Sequence, residues 1–281
     1  MPEPLIPHTV LGVFTSNLEP GVRFLKSAIT EPSATYDPSG IQVEAVEEGA
    51  DFLVNGEKLF VDNAHVADYL VCAVRTSHEG EPGNGISLFI ISTQAPGITI
   101  RVVPGIGLDK QCEVSFKEVK CPRENMLGDL NGGWGILKRA LKKAQIGKCA
   151  EMLGGMRASL DMSNAYVKKR MTYGRPIGSY QVVQHYLANI WIDIETSRNI
   201  TYLAGWKINE GLPCGKEVSA AKAWVGKAFA RVTERCVQIH GAIGLTREHD
   251  IGLYYRSAKA CDLAFGDGRY QKSVMEKEMN L

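Results

Sequence analysis

The side chains able to do chemistry stand at a few marked places in this chain of 281 residues. Thr30, in Thr30-Glu31-Pro32, offers a hydroxyl and a backbone N–H at the expected end of a first strand. Phe60 offers a flat apolar surface, and Asp62, when ionised, can only accept hydrogen bonds. Arg170 carries a planar fork that can bind two oxygens of an anion at once. Gln238 shares a helical pattern with Val232, Cys236 and Ile239, just ahead of His240 and Gly241. Asp267 stands between Gly266 and Gly268. Each of these has an ordinary alternative when taken alone. Thr30-Glu31-Pro32 reads as a turn, Arg170 as a solvated helix end, Gln238 as a semi-buried amide and His240 as structural, with no partner carboxylate in sight. Asp267 reads equally as a turn aspartate that hydrogen-bonds its own backbone.

Several chemistries lack their sequence support. There is no GxGxxG after a strand, no GxxxxGK[ST] and no HExxH, which disfavours a Rossmann dehydrogenase, a P-loop enzyme and a zincin. The seven cysteines are scattered and contain no C-x-x-C pair, which argues against a disulfide framework or a zinc site and for a reducing compartment. Lys+Arg at 32 against Asp+Glu at 31 provides no net attraction to nucleic acid or an anionic bilayer. With 44% hydrophobic residues the chain can build a sizeable core. No apolar run approaches the roughly 18 residues of a membrane span. Met1-Pro2-Glu3-Pro4 has neither a basic nor an apolar leader region, so the expected location is cytoplasmic.

The elements that must position these residues differ between the two halves. From Ser27 to Asp129 short alternating runs are punctuated by turn residues. Asp51–Val54, Asn55-Gly56 and Glu57–Val61 read as a hairpin with a type I′ turn. Further strands are expected at Tyr69–Arg75, Gly85–Ser92, Ile98–Val103 and Glu113–Val119. Closely spaced strands without intervening helices suggest an antiparallel barrel or sandwich. Beyond Gly132-Gly133 the spacing turns helical, with helices expected from Trp134 to about Met171, Gln181 to Asn209, Lys216 to Ile239 and Gly252 to Phe265. Short connections between them suggest an up-and-down bundle.

Thr30-Glu31-Pro32, Asn55-Gly56-Glu57-Lys58 with Phe60, Arg170-x-x-Tyr173-Gly174-Arg175-Pro176-Ile177-Gly178 with Gln181, and Gln238-Ile239-His240-Gly241 with Gly244 stand in one order and spacing. In this the chain resembles the acyl-CoA dehydrogenase family from about Ala28 onward. The resemblance implies an α+β multidomain chain: residues 1–26 as the remnant of an N-terminal helical domain, 27–130 as an antiparallel β-barrel domain and 131–281 as a C-terminal up-and-down four-helix bundle, with FAD held between the last two. It implies that Thr30, Phe60, Asp62, Arg170, Thr172, Tyr173, Gln181, Gln238 and Gly241 bind the cofactor. Tyr36 would meet the substrate. The family's W-I-T-N reads Phe60-Val61-Asp62-Asn63 here, which keeps the stacking aromatic and puts a carboxylate in place of the hydroxyl beside flavin N5.

The family's catalytic base, a glutamate in a Y-E-G-T turn, has no direct counterpart. The turn reads Phe265-Gly266-Asp267-Gly268, and the alternative place on the first long helix falls near Ala144-Gln145. Asp267 is therefore the expected base. The resemblance implies α,β-dehydrogenation of an acyl-CoA thioester to the 2-enoyl product, electrons passing to electron-transfer flavoprotein, in a homo- or hetero-oligomer. The alternatives are a catalytically impaired FAD-binding subunit that acts through a partner chain, and a truncated gene product or misplaced start.

Overall fold

The computed structural model describes residues 24–107 and 109–279, so the expected N-terminal remnant lies almost wholly outside the described residues. Two compact units are present, one of residues 24–105 with Asp109–Ala140 and one of residues 106–107 with 141–279.

The first unit is built on seven strands, β1 (Leu25–Ala28), β2 (Glu44–Glu48), β3 (Asp51–Asp62), β4 (Tyr69–Arg75), β5 (Ile86–Ser92), β6 (Ile98–Val103) and β7 (Gln111–Pro122). They form one sheet in which β6, β7, β3, β2 and β4 are successive neighbours, while β4 also pairs with β1 and β5. The sheet is mixed, which corrects the expected antiparallel barrel. β1 lies parallel to β4, Leu25 facing Tyr69, and β2 meets β4 in parallel at Glu44 and Arg75. The expectation assumed that parallel neighbours need a helical crossover; here the β2–β3 hairpin itself spans the distance between β1 and β4. The sheet is also a half-barrel rather than a closed one, because β5 and β6 form no pairing with each other among the described residues.

Asn55-Gly56 does not turn the chain. β3 runs straight through it, and the hairpin is made one step earlier, where Glu48 faces Asp51. The dipeptide instead sits in a register shift against β7, with Gly56 at φ +134° and the Asn55 side chain accepting from Glu118 N–H at 2.8 Å. A β-bulge and an Asn-Gly turn draw on the same conformational freedom, which is why alternation alone misplaced it. Inward residues Phe52, Val54, Leu70, Val74, Phe89 and Val114 form the core of this unit.

The second unit holds most of α1 (Gly133–Lys169), then α2 (Gln181–Asn209), α3 (Gly215–His240), α4 (Ile251–Leu263) and α5 (Gly268–Glu278). α5 is an addition to the expected helices; only Val274 and Met275 in its 11 residues are large and aliphatic, too few for a periodic signal. α3 is the most buried, its stripe of Val218, Val225, Phe229, Val232, Cys236 and Ile239 packing in a core with Met152, Met156 and Ile190. Asp193 of α2 ties to α3 by accepting from Arg231 at 2.7 Å and Arg235 at 3.3 Å. None of the seven cysteines forms a disulfide, and burial pushes Cys72 up to about 11 and Cys149 up to about 12, which keeps both as neutral thiols. No helix among the described residues is long and apolar enough to cross a membrane.

One interaction inside the sheet unit fixes the segment after β1. Lys58 on β3 is fully buried, and its ammonium lies 2.6 Å from the Glu31 carboxylate, itself 5% exposed. Glu31 also accepts from Gln42 N–H at 2.8 Å and Val43 N–H at 3.1 Å, while Lys58 donates to Ile29 O at 3.2 Å. Both carboxylate oxygens and the ammonium thus each have at least one hydrogen-bond partner besides the ion pair itself, which is what makes a buried ion pair tolerable. Lys58→Met leaves the carboxylate without its cation, and urea unfolding should show a loss of about 3–5 kcal/mol.

Candidate active site

In the sheet unit the ion pair brings the predicted residues together. Thr30 precedes Glu31, and its carbonyl accepts from Leu59 N–H at 2.8 Å, so Thr30 lies beside the residue before Phe60. Between Lys58 and Val61 the register against β7 shifts again. Phe60 occupies that irregularity at φ +55°, half-exposed. A left-handed bulky residue costs about 1–3 kcal/mol and persists only where the surroundings over-determine it. Here β3 is anchored on both sides of it. The Thr30 hydroxyl and N–H make no hydrogen bond among the described residues, so two donors stand unspent next to an outward-turned ring. Asp62 Oδ1 accepts from Gln111 Nε2. Tyr36 is half-buried in the loop before β2, which buried Arg75 holds by donating to Pro38 O at 2.8 Å and Ile41 O at 3.1 Å.

In the helical unit a second group gathers where α1 and α3 end. Arg170 closes α1, and Met171–Thr172 pairs with Arg175–Pro176 across Tyr173-Gly174, both at positive φ, a two-residue I′ hairpin. That hairpin exposes Tyr173 at 94%. Tyr180 braces it by donating to Thr172 O at 3.0 Å and lying under the Arg175 guanidinium at 4.0 Å. Tyr166, one turn before Arg170, stacks on His240 at 4.5 Å between centroids. This contact joins the Arg170 segment to the Gln238–Gly241 segment. Arg170, Gln181, Gln238 and Gly241 are all exposed.

His240 is structural, as its lack of a carboxylate partner suggested. Nδ1 lies 2.8 Å from Cys236 O, an acceptor, so Nδ1 carries the proton and the buried Nε2 is left as an unpartnered lone pair among the described residues. Burial, with the Cys236 carbonyl opposing it and His249 adding to it, holds His240 below its ordinary 6.5. The folded state therefore prefers neutral His240. Its contribution is complete above pH 6.5 and falls as the pH drops below that value. Unfolding free energy measured from pH 7 to 5.5 should decline, and His240→Phe should flatten the decline.

The third group surrounds the turn between α4 and α5. Asp267 caps α5, its Oδ1 accepting from Tyr270 N–H at 2.8 Å. This is the bland reading of Asp267 realised; it leaves Oδ2 without a hydrogen bond among the described residues. Gln145 Nε2 donates to Phe265 O at 2.8 Å, so the two places where the resemblance puts a base, Gln145 and Gly266, are neighbours in space. Gly266 has φ +104°, and a Cβ there would lie 2.6 Å from Gln271 Nε2 and 2.7 Å from Tyr270 Cδ1. A glutamate at this position would be strained in its backbone and would have to displace the Gln271 and Tyr270 side chains. Sequence reading missed Lys222, which is fully buried and donates to Asp262 O at 2.7 Å and Gly266 O at 3.1 Å. Its signal was a lysine inside the apolar stripe of α3. Gly266→Glu, although it restores the expected residue type, should lower the melting temperature and raise no activity.

Two family models match the chain: the acyl-CoA dehydrogenase middle domain over residues 27–119 and the acyl-CoA dehydrogenase C-terminal domain over residues 131–279. A short-chain-specific acyl-CoA dehydrogenase of Megasphaera elsdenii is 33% identical over 276 residues, covering 96% of this chain and 68% of that protein. The crystal structure of butyryl-CoA dehydrogenase from the same organism superposes with a TM-score of 0.88 at 30% identity, over 92% of this chain and 68% of that one. So does a chain in the structure of the electron transferring flavoprotein of Acidaminococcus fermentans, with the same TM-score and identity, over 92% and 69%. FAD is the cofactor of these enzymes. Within the sheet unit, the donors of Thr30 beside the exposed Phe60 have the chemistry that a flat, polar-edged ring requires, and within the helical unit the exposed Arg170 and Gln238 have that of a phosphate contact, each unit taken by itself. Matched through both its sheet and its helices, the chain belongs to the acyl-CoA dehydrogenase family, oxidoreductases that act on a CH–CH group.

Proposed function

We propose that this chain binds FAD and converts an acyl-CoA thioester to the 2-enoyl-CoA, with electrons passing to an electron-transfer flavoprotein. The observation that carries the reading is the pairing of Thr30 and Phe60: two donors unused among the described residues beside a strained, outward ring, both held by a buried ion pair. FAD, when bound, supplies the acceptor for the hydride that leaves the β-carbon. Thr30 offers its donors to the ring's polar edge, Phe60 its face, and Asp62, kept in place by Gln111, sits two residues further on. Arg170 and Gln238 would hold the diphosphate and adenosine, with Thr172, Tyr173, Gln181 and Gly241 around them. Tyr36 offers a hydroxyl toward the thioester. Asp267 uses one oxygen as a helix cap and keeps Oδ2 to take the α-proton.

The helices are proposed to pack as the family's four-helix bundle with α5 added, and the chain to work as an oligomer. The apolar side chains on the outer face of α2 support the latter: Trp191, Ile192, Tyr202, Leu203 and Trp206 are all exposed and recur at helical spacing.

A second reading, an impaired FAD-binding subunit completed by a partner chain, is favoured by one observation. The glutamate position is a glycine at a strained φ where a side chain would have to displace Gln271 and Tyr270, and Asp267, the carboxylate next along, is engaged as a cap.

Visible spectroscopy separates the readings, with butyryl-CoA as probe because the Megasphaera elsdenii structure is that of a butyryl-CoA dehydrogenase. FAD-reconstituted protein should show a flavin band that bleaches on adding butyryl-CoA, and Arg170→Ala should lower flavin retention. No flavin band after reconstitution overturns both readings. A band that neither bleaches nor supports dye-linked turnover favours the second.

A further inference from the structure

The turn from α4 to α5 is held by more buried polar side chains than a connection requires. Lys222, on α3, lies in the stripe of Val218, Ala221, Val225 and Phe229, all buried. An ammonium in such surroundings costs several kcal/mol unless its protons are used. No carboxylate pairs with it among the described residues; its partners are two main-chain carbonyls, Asp262 O in the last turn of α4 and Gly266 O in the connection. The carbonyl between them in sequence, Phe265 O, accepts from two further side chains, Gln145 Nε2 of α1 at 2.8 Å and Gln271 Nε2 of α5 at 3.1 Å. Gln145 is 8% exposed and Gln271 1%.

Three helices therefore each send one buried donor to a single short segment. The segment is itself unusual. Phe265 and Gly266 are consecutive residues at positive φ, +58° and +104°, which turns their carbonyls inward where no helix ladder can reach them. Helix ends of this kind usually leave their carbonyls to water or to a glycine C-cap. Burying a lysine and two glutamines instead makes the position of the segment, and hence of Asp267 immediately after it, the feature that is controlled.

We propose that Lys222, Gln145 and Gln271 are positioning residues that clamp the Phe265–Gly266 turn and so fix the direction in which the Asp267 carboxylate faces the substrate. The proposal rests on the reading of Asp267 as base. Gln145 is then a positioning group at the place where a base on the first long helix would stand.

The clamp is tested first without substrate. Gln145→Leu and Gln271→Leu each leave Phe265 O with one donor, so the fold should hold. Hydrogen exchange by mass spectrometry should report exchange across residues 264–270 about tenfold faster in either variant, with α3 unchanged. Unchanged exchange in both variants overturns the clamp. Turnover of butyryl-CoA is the second arm. Gln145→Leu should lower kcat about tenfold and leave KM within about twofold, and Lys222→Arg should retain activity that Lys222→Met loses. In an Asp267→Asn background Gln145→Leu should bring no further loss. The same tenfold loss in that background overturns the action through Asp267. Wild-type turnover by Asp267→Asn alone overturns the base assignment, and with it the catalytic purpose of the clamp, while the exchange arm still reports on the clamp itself.

Discussion

The buried pair of Glu31 and Lys58 is the constraint on which the candidate cofactor surface depends. Its two members come from motifs far apart in sequence, and the pair pins one onto the other. Because Glu31 follows Thr30 and Lys58 precedes Leu59 and Phe60, a single charge contact sets where a free donor pair stands relative to a strained aromatic. A surface pair would fluctuate and contribute little. Burial, with main-chain partners on both members of the pair, converts the same contact into a geometric fixture. The positive φ of Phe60 then becomes intelligible: the strand is held on one side by Lys58 and on the other by pairing of Val61 and Asp62 with β7, and the residue between must turn outward.

The helical unit repeats this device with a different partner. Lys222 is again a lysine with no exposed surface, but its protons go to carbonyls rather than to a carboxylate. Burial pulls its pKa down from the ordinary lysine value, and the acidic groups around it, Asp262 first, oppose that shift. The turn it holds explains why a glycine occupies the expected position of the base. Tyr270 and Gln271 fill the space where a side chain at 266 would go, so the residue type and the packing of α5 are one solution. Asp267, next along, is where a carboxylate still fits.

Much of the local structure is legible in the sequence. Strands at Tyr69–Arg75 and Ile98–Val103 and the helix Gln181–Asn209 emerge at their observed limits, because alternation and helical periodicity report directly on which face is buried. Pairing order is not local. Whether β1 lies parallel or antiparallel to β4 depends on the path of the chain between them, and no window of residues contains that path. Asn55-Gly56 was misplaced for a related reason, since the turn and the bulge ask for the same residues. At the candidate site, Thr30 and Phe60 could be singled out by motif, while Lys58 was read only as a motif letter and Lys222 not at all. Lysine is so rarely buried that its residue type points to the surface, and only its place within an apolar stripe says otherwise.

The most direct test of the account is a crystal structure of the FAD-reconstituted chain. It should place the isoalloxazine against the Phe60 ring, with the Thr30 hydroxyl or N–H within about 3.2 Å of a ring heteroatom. Flavin bound elsewhere, with Thr30 and Phe60 out of contact, would contradict it.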